Sequence, residues 1–205
     1  MNDAEIKRFT EQIRFLLEMD QMKNIYRQTF VLHEDRKEND AEHAWHLAML
    51  ALVLHEYANE PVDLQTVLAT VLIHDVVEID AGDTYAYDEA GNATKAAREQ
   101  KAADRLFGML PPEQGAWMRR LWEEFEAGST PEARFAAALD RIQPLMLNYS
   151  SHGKSWKEHG TTSAQVTARM QPIYHGSEQL GRFAQELIRR ATEEGILREA
   201  APPAD

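Results

Sequence analysis

Eight histidines are the residues best able to do chemistry near neutral pH in this 205-residue chain, and a few of them keep unusual company. His43 and His46 lie three apart near the start of an apolar stretch that runs from residue 44 to residue 54. His74 and Asp75 close a hydrophobic run from Val67 to Ile73. An ionised aspartate there is costly unless it is paired or bound to a metal. Glu78 follows His74 by four and Asp75 by three, so on a helix it rises on the same face as both. An imidazole and a carboxylate side by side, with a second carboxylate one turn on, read as a ligand pair with an acid or base beside it. A further oxygen ligand must come from elsewhere. Asp140, at the end of an apolar segment spanning 135–139, is the best candidate. An ion pair with Arg134 or Arg141 is its alternative, although side chains one apart on a helix diverge. Taken singly, each residue is more simply a satisfied core histidine or a helix-end carboxylate. Taken together, they favour a metal.

Composition narrows the chemistry further. There is no cysteine, which removes disulfides, thiolate ligands and a cysteine nucleophile together. Lysine and arginine number 22 against 34 acids, a net charge of -12, so a nonspecific grip on nucleic acid or anionic lipid is not expected. An anionic ligand must therefore be met by a local cluster of cations. The segment Met1 to Lys7 carries charge too early for a secretory signal, and no apolar run approaches the ~20 residues of a membrane helix. A cytoplasmic protein without membrane or nucleic-acid partners is the expectation. Phosphate-loop, nucleophile-elbow, zinc-helix and dinucleotide glycine signatures are all missing. The stretch from Asp80 to Asp83 lacks the alternate ligands of a calcium loop.

The elements that must position these residues read as helices. Apolar spacing of three and four dominates, convincing period-two alternation is almost absent, and 43% hydrophobic content suits one sizeable core. The pattern predicts an all-α single domain over residues 1–200, with a flexible tail at 201–205. Ile6, Phe9, Ile13, Leu16 and Leu17 form one stripe of a first helix. Residues 29–33 read as extended or loop. Asn39 or Asp40 caps a helix over 41–58, and Asp63 caps another reaching about residue 79. Residues 80–92 form a loop. Helices follow over 94–107, 112–126 and 131–148, the last with Pro144 inside it and a kink expected just after Asp140. A loop over 150–160 precedes helices over 162–170 and 177–192.

Glu42-His43, then the run from Ile73 to Asp83 containing His74-Asp75 and Glu78, then Ala138-Leu139-Asp140-Arg141 resemble the signature of the HD-domain phosphohydrolases, more narrowly the branch containing the single-metal 5'-deoxynucleotidases. The resemblance covers about residues 15–149. It implies an HD-domain helical bundle and one divalent ion, Mn, Co, Mg or Fe, held by His43, His74, Asp75 and Asp140. It also implies Glu78 as catalytic carboxylate, Asp83 near the reacting phosphate, a homodimer, and removal of phosphate from nucleoside 5'-monophosphates or a similar small phosphomonoester. Arg27 fits the family's phosphate-binding arginine, but Gln28 follows it where the family has a tryptophan beside the sugar. His46 reads as facing the pocket, and Lys154 or His159 as reaching the phosphate from the 150–160 loop. Arg36 and Lys37 read as a solvated turn. Rival readings are a nucleotide triphosphohydrolase or phosphodiesterase, a non-catalytic metal- or nucleotide-binding regulatory module, and a helical di-iron oxygenase. Both histidines must be unprotonated to bind metal, so activity is expected to fall as pH drops below about 6.5. A pH–rate profile with a flat acid limb would contradict the assignment.

Overall fold

The computed structural model describes residues 1–200, the Glu89 side chain excepted; the tail expected at 201–205 lies outside the described residues. Eleven helices and one small hairpin make up the described chain. Helix α1 (Asp3–Glu18) leads through a 3₁₀ turn (Met19–Asn24) into strands β1 (Tyr26–Phe30) and β2 (Lys37–Asn39), followed by α2 (Asp40–Leu54). Then come α3 (Leu64–Ile73), the one-turn α4 (Glu78–Ala81), α5 (Glu89–Phe107), α6 (Pro112–Ala127) and α7 (Pro131–Ser150). Helices α8 (Lys154–His159), α9 (Ser163–Met170), α10 (Ile173–Gly176) and α11 (Glu178–Glu193) complete it.

Local chemistry accounts for most boundaries. Asn2 and Asn39 each begin a helix through reciprocal capping boxes with Glu5 and Glu42, and Asp63 caps α3 through the Gln65 and Thr66 amides. Proline in the first turn starts α6 and α7, and Gly128 ends α6 in the left-handed conformation.

Two apolar clusters divide the interior. The larger joins α2, α3 and α7 to the C-terminal helices through Leu47, Val67, Val71, Phe135, Ile142 and Ile173. The smaller joins α4, α5 and α6 through Val76, Val77, Ala103, Leu106 and Trp122. Helix α3 meets the first through Val67 and Val71 and the second through Ala69 and, at its end, Ile73. At Gly176 the backbone of α10 comes so close to the Arg134 carbonyl of α7 that a β-carbon would stand 2.2 Å from it, so only glycine fits.

The structure corrects the sequence expectation in four places. The chain is not wholly helical: β1 and β2 pair antiparallel, Tyr26 opposite Asn39 and Phe30 opposite Lys37, with an irregular register between. Their alternation is too short to register as a period. The third helix does not run to residue 79; α3 stops at Ile73, and residues 74–77 turn through i to i+3 bonds such as Val76 N–H to the Ile73 carbonyl. Buried Val76 and Val77 draw the chain there from one cluster to the other. The 150–160 segment is no open loop, because α8 folds between left-handed Gly153 and Gly160 with Trp156 packed inward. Helix α5 starts at Glu89, earlier than residue 94, because Asp88 caps it through the Gly91 amide. The stripe on α1 is present but uncovered: Phe9 is 54% and Leu17 69% exposed, and Phe15 on the other side is the buried residue. His33, His55, His152 and His175 are exposed. Among the described residues, no helix is long and apolar enough to cross a membrane.

Candidate metal centre

Four elements converge where the two clusters meet. The capping box at Asn39 sets the first turn of α2 so that His43 points inward and is fully buried. Gln143 and Asp140, three apart on α7, grip the two ends of its ring: Nδ1 lies 3.1 Å from Gln143 Oε1, and Nε2 3.1 Å from Asp140 Oδ1. The carbonyl-type oxygen of Gln143 can only accept, so Nδ1 carries a proton, and in the neutral ring the Nε2 lone pair faces the Asp140 carboxylate. Gln143 is itself held, its Nε2 donating to Glu38 Oε2 at 2.9 Å. His74, at the end of α3, donates from Nδ1 to the Val71 carbonyl at 3.0 Å. Its Nε2 is buried and makes no hydrogen bond, although Asp75 Oδ2 lies 3.1 Å and Asp140 Oδ1 3.7 Å away.

In their neutral forms the two imidazoles thus set nitrogen lone pairs against carboxylate oxygens, acceptor against acceptor, a conflict that a proton relieves only by charging the ring. A cation between them resolves that conflict. Ligand atoms of His43, His74 and Asp75 all lie within 4.8 Å of one another, so these residues fit a divalent ion, with Asp140 beside both nitrogens. Asp40, Asp75 and Glu78 make a second close group sharing Asp75.

One arginine balances part of this charge. Because the hairpin carries Arg27 across α2, its guanidinium reaches Asp75 at 2.7 Å, Asp40 at 3.4 Å, Asp140 at 3.8 Å and Glu38 at 3.9 Å. The carboxylates then separate into two kinds. Burial opposes ionisation of Asp75, yet His74 and Arg27 hold it below the usual carboxylate range. Burial likewise opposes ionisation of Asp140, and the His43 and His74 rings set against its carboxylate hold it well below. Burial and then Asp75 push Glu78 well above its ordinary value and Asp40 up to about 7, and burial raises Asp83. Environments that drive neighbouring acids apart divide charge-bearing from proton-bearing roles. Burial lowers the His74 pKa, but Asp75 and Asp140 outweigh it and raise it well above the ordinary value. A proton leaves such an imidazole only above its raised pKa, so the acid limb expected from two metal-binding histidines moves to higher pH.

Beside the centre opens a cavity of about 150 Å³, reached by Arg27, Gln28, Asp75, Glu78, Asp83 and Asp140. Arg98 ties the loop bearing Asp83, donating to Thr84 Oγ1 at 2.8 Å and to the Ala81 carbonyl. Three residues singled out on the substrate side lie elsewhere. His46 stands behind His43, its Nδ1 3.2 Å from Gln143 Nε2. Lys154 pairs with Asp35 at 2.6 Å, and His159 contacts Gln28 Oε1 at 3.1 Å and stacks near Tyr85. The same segment delivers Ser155 and Trp156 to the cavity instead, because α8 turns its apolar side inward. Sequence reasoning missed Glu38, Asp40 and Gln143. The first two precede His43 in a charged stretch and carry no spacing signal. Gln143, an uncharged residue three after Asp140, was legible only as a helix neighbour.

Replacing Gln143 by leucine, nearly its equal in volume, frees the His43 ring to turn. Divalent-ion affinity, read by manganese titration, is expected to fall roughly 10- to 100-fold. Unchanged affinity would show that Gln143 does not orient the ligand.

The HD domain family model matches residues 19–180. The 5'-deoxynucleotidase HDDC2 of Bos taurus is 29% identical over 135 residues, 65% of this chain and 64% of that protein. The Homo sapiens protein of the same name is 27% identical over 135 residues, 65% of each chain. The alignment thus spans slightly less than two thirds of these curated relatives. A solved structure from Magnetospirillum magnetotacticum MS-1, described as a predicted metal-dependent phosphohydrolase, is 48% identical and superposes with a TM-score of 0.92 over 97% of this chain and 100% of that one. With the family match spanning most of its length and the HD residues gathered at one point, this chain belongs to the HD domain family.

Proposed function

We propose that this protein is a metal-dependent phosphohydrolase that releases phosphate from a nucleoside 5'-monophosphate or a similar small phosphomonoester. One observation carries the reading: a cluster of buried histidines and carboxylates fit for a cation and a buried Glu78, its carboxyl pushed well above the ordinary range by burial and Asp75, border the same cavity. The names of the HDDC2 relatives and of the Magnetospirillum structure support it. His43, His74, Asp75 and Asp140 would hold a single divalent ion, and their nitrogen and oxygen donors suit Mn, Co, Mg or Fe. Such an ion supplies charge neutralisation at the phosphoryl group and makes water acidic enough to attack near neutral pH.

The chain's own residues do the rest. Arg27 presents its guanidinium to the phosphoryl oxygens from the cavity wall. Glu78, which holds a proton more tightly than Asp75 or Asp140, gives that proton to the departing 5'-oxygen and regains one from the attacking water. Asp83, also raised by burial, faces the same space and helps orient that water. Gln28, in place of the family's tryptophan, is engaged by Lys37 at 2.6 Å and His159 at 3.1 Å, so the sugar meets a polar edge there.

A phosphate-release screen over ribo- and deoxynucleoside monophosphates with several divalent ions tests the reaction; release of pyrophosphate or tripolyphosphate from nucleoside triphosphates assayed beside them would favour the rival hydrolases. Glu78→Gln is expected to lower kcat by roughly 10²- to 10⁴-fold while manganese still binds. Full turnover in that variant removes Glu78 from the chemistry.

The partner reading is a second copy of this chain. The exposed stripe of Ile6, Phe9, Ile13, Leu16 and Leu17 contains no charged residue, and a twofold axis through it would set apolar side chains of one copy against those of the other. With a net charge of -12 on each copy, association needs such an uncharged face. Sedimentation should show dimers for the wild type and monomers for Phe9→Glu combined with Leu16→Glu. Dimers that survive this change would place the interface elsewhere.

A further inference from the structure

The cavity continues past the carboxylates along α7. Asp140 stands at one end, and Arg141, Leu145 and Asn148 follow it on the same wall. Eight residues separate Asp140 from Asn148, roughly 12 Å of helical rise. That distance matches the reach of a nucleotide from its phosphorus to the outer edge of its base. Along this length the lining changes character. Trp156 of α8 and Val166 and Met170 of α9 join Leu145, all of them nearly or fully buried. An indole among aliphatic and thioether groups makes a slot for a flat heterocycle.

Two polar atoms on this wall have no partner in the protein. Asn148 donates from Nδ2 to the Pro144 carbonyl at 2.9 Å, and its Oδ1, shielded from solvent, accepts from nothing. Turning the amide over would set oxygen against oxygen, so its orientation is determined and what it offers a ligand is an acceptor. Arg141 is the opposite case. Its Nη1 donates to the Ala137 carbonyl at 3.0 Å, while its buried Nε–H has no acceptor. Native chains rarely leave such groups unmatched, and unmatched ones beside a cavity point to a ligand that completes them.

We propose that Asn148 reads the base of the substrate, its Oδ1 accepting a hydrogen bond from an amino or ring N–H of a nucleobase lodged beside Trp156. This rests on the nucleotide reading of the metal centre. Arg141 Nε–H, nearer to Asp140, donates to an acceptor on the same nucleoside. A slot without Asn148 would take any flat ring. With it, a ring lacking an N–H leaves Oδ1 desolvated and unpaired and is rejected. Pro144, which has no N–H of its own, contributes the carbonyl that holds the amide in place.

Nucleosides carry no phosphate, so their binding tests the subsite apart from hydrolysis. Calorimetry on the wild-type protein compares adenosine with N6,N6-dimethyladenosine and thymidine with 3-methylthymidine. The methylated member of each pair is expected to bind about tenfold or more weakly, the loss of one buried hydrogen bond. Equal affinities within both pairs, or no nucleoside binding, overturn the proposal. In Asn148→Leu the two members of each pair should bind alike, and the ratio of kcat/KM for nucleoside monophosphate over base-free sugar 5-phosphate should fall about tenfold. Wild-type discrimination retained in that variant also overturns it. The comparison within the wild type decides the matter if Asn148→Leu does not fold. Discrimination between nucleosides without any phosphate release would instead sink the hydrolase reading and leave the base site standing.

Discussion

Buried negative charge facing imidazole nitrogen is the constraint on which this molecule turns. Six carboxylates, those of Glu38, Asp40, Asp75, Glu78, Asp83 and Asp140, gather around two imidazoles, and Arg27 is the guanidinium that pairs directly with four of them. No arrangement of that many acids is tolerable in a protein interior unless some hold protons and the rest face a cation. The structure meets the condition by sorting them. Asp75 and Asp140 lie against histidine nitrogen, while Glu78 and Asp40 lie against other acids and keep their protons more tightly. The same sorting separates groups able to hold a metal from a group able to give a proton.

Placing the centre at a seam makes the sorting possible. Side chains deep in either apolar cluster would have no room for a substrate, and side chains on the surface would have their charges screened by water. Where α3 leaves the larger cluster and α4 enters the smaller, the backbone tightens into i to i+3 turns and His74, Asp75 and Glu78 face one space. The hairpin closes another side of that space and brings Arg27 within reach of Asp40, thirteen residues later in the chain. The flap at α8 is tied to this hairpin through Lys154 with Asp35 and Lys37 with Glu158, and to the Asp83 loop through Tyr85 with Thr161. Thus the walls of the cavity are fastened to each other and not only to the core.

Much of this is legible in the residues, for identifiable reasons. Helices α2, α6 and α7 announce themselves through caps, first-turn prolines and apolar periodicity, all of which are local signals. His74-Asp75 stands out because a charged residue ends an apolar run, and Asp140 for the same reason. The hairpin does not show, because three to five residues are too few for a period of two to be distinguished from a loop. Helix α8 does not show either, since its six residues rely on Trp156 being buried by other elements. The choice of Lys154 and His159 over Ser155 and Trp156 as cavity residues followed from charge, whereas the orientation of that short helix follows from its apolar side.

The sequence by itself determined the helical class, the caps that begin the main helices, and which few acids and histidines had to be reconciled with an apolar setting. Each of those depends on residues within a turn or two of one another. Tertiary structure alone decided that Arg27 lies among four carboxylates, that Gln143 and Glu38 steady His43, and that Asn148 keeps an unpaired oxygen beside the cavity. These depend on segments far apart in the chain meeting at fixed distances. Hydrogen bonds and desolvation are sensitive to such distances, and a linear pattern carries no record of them.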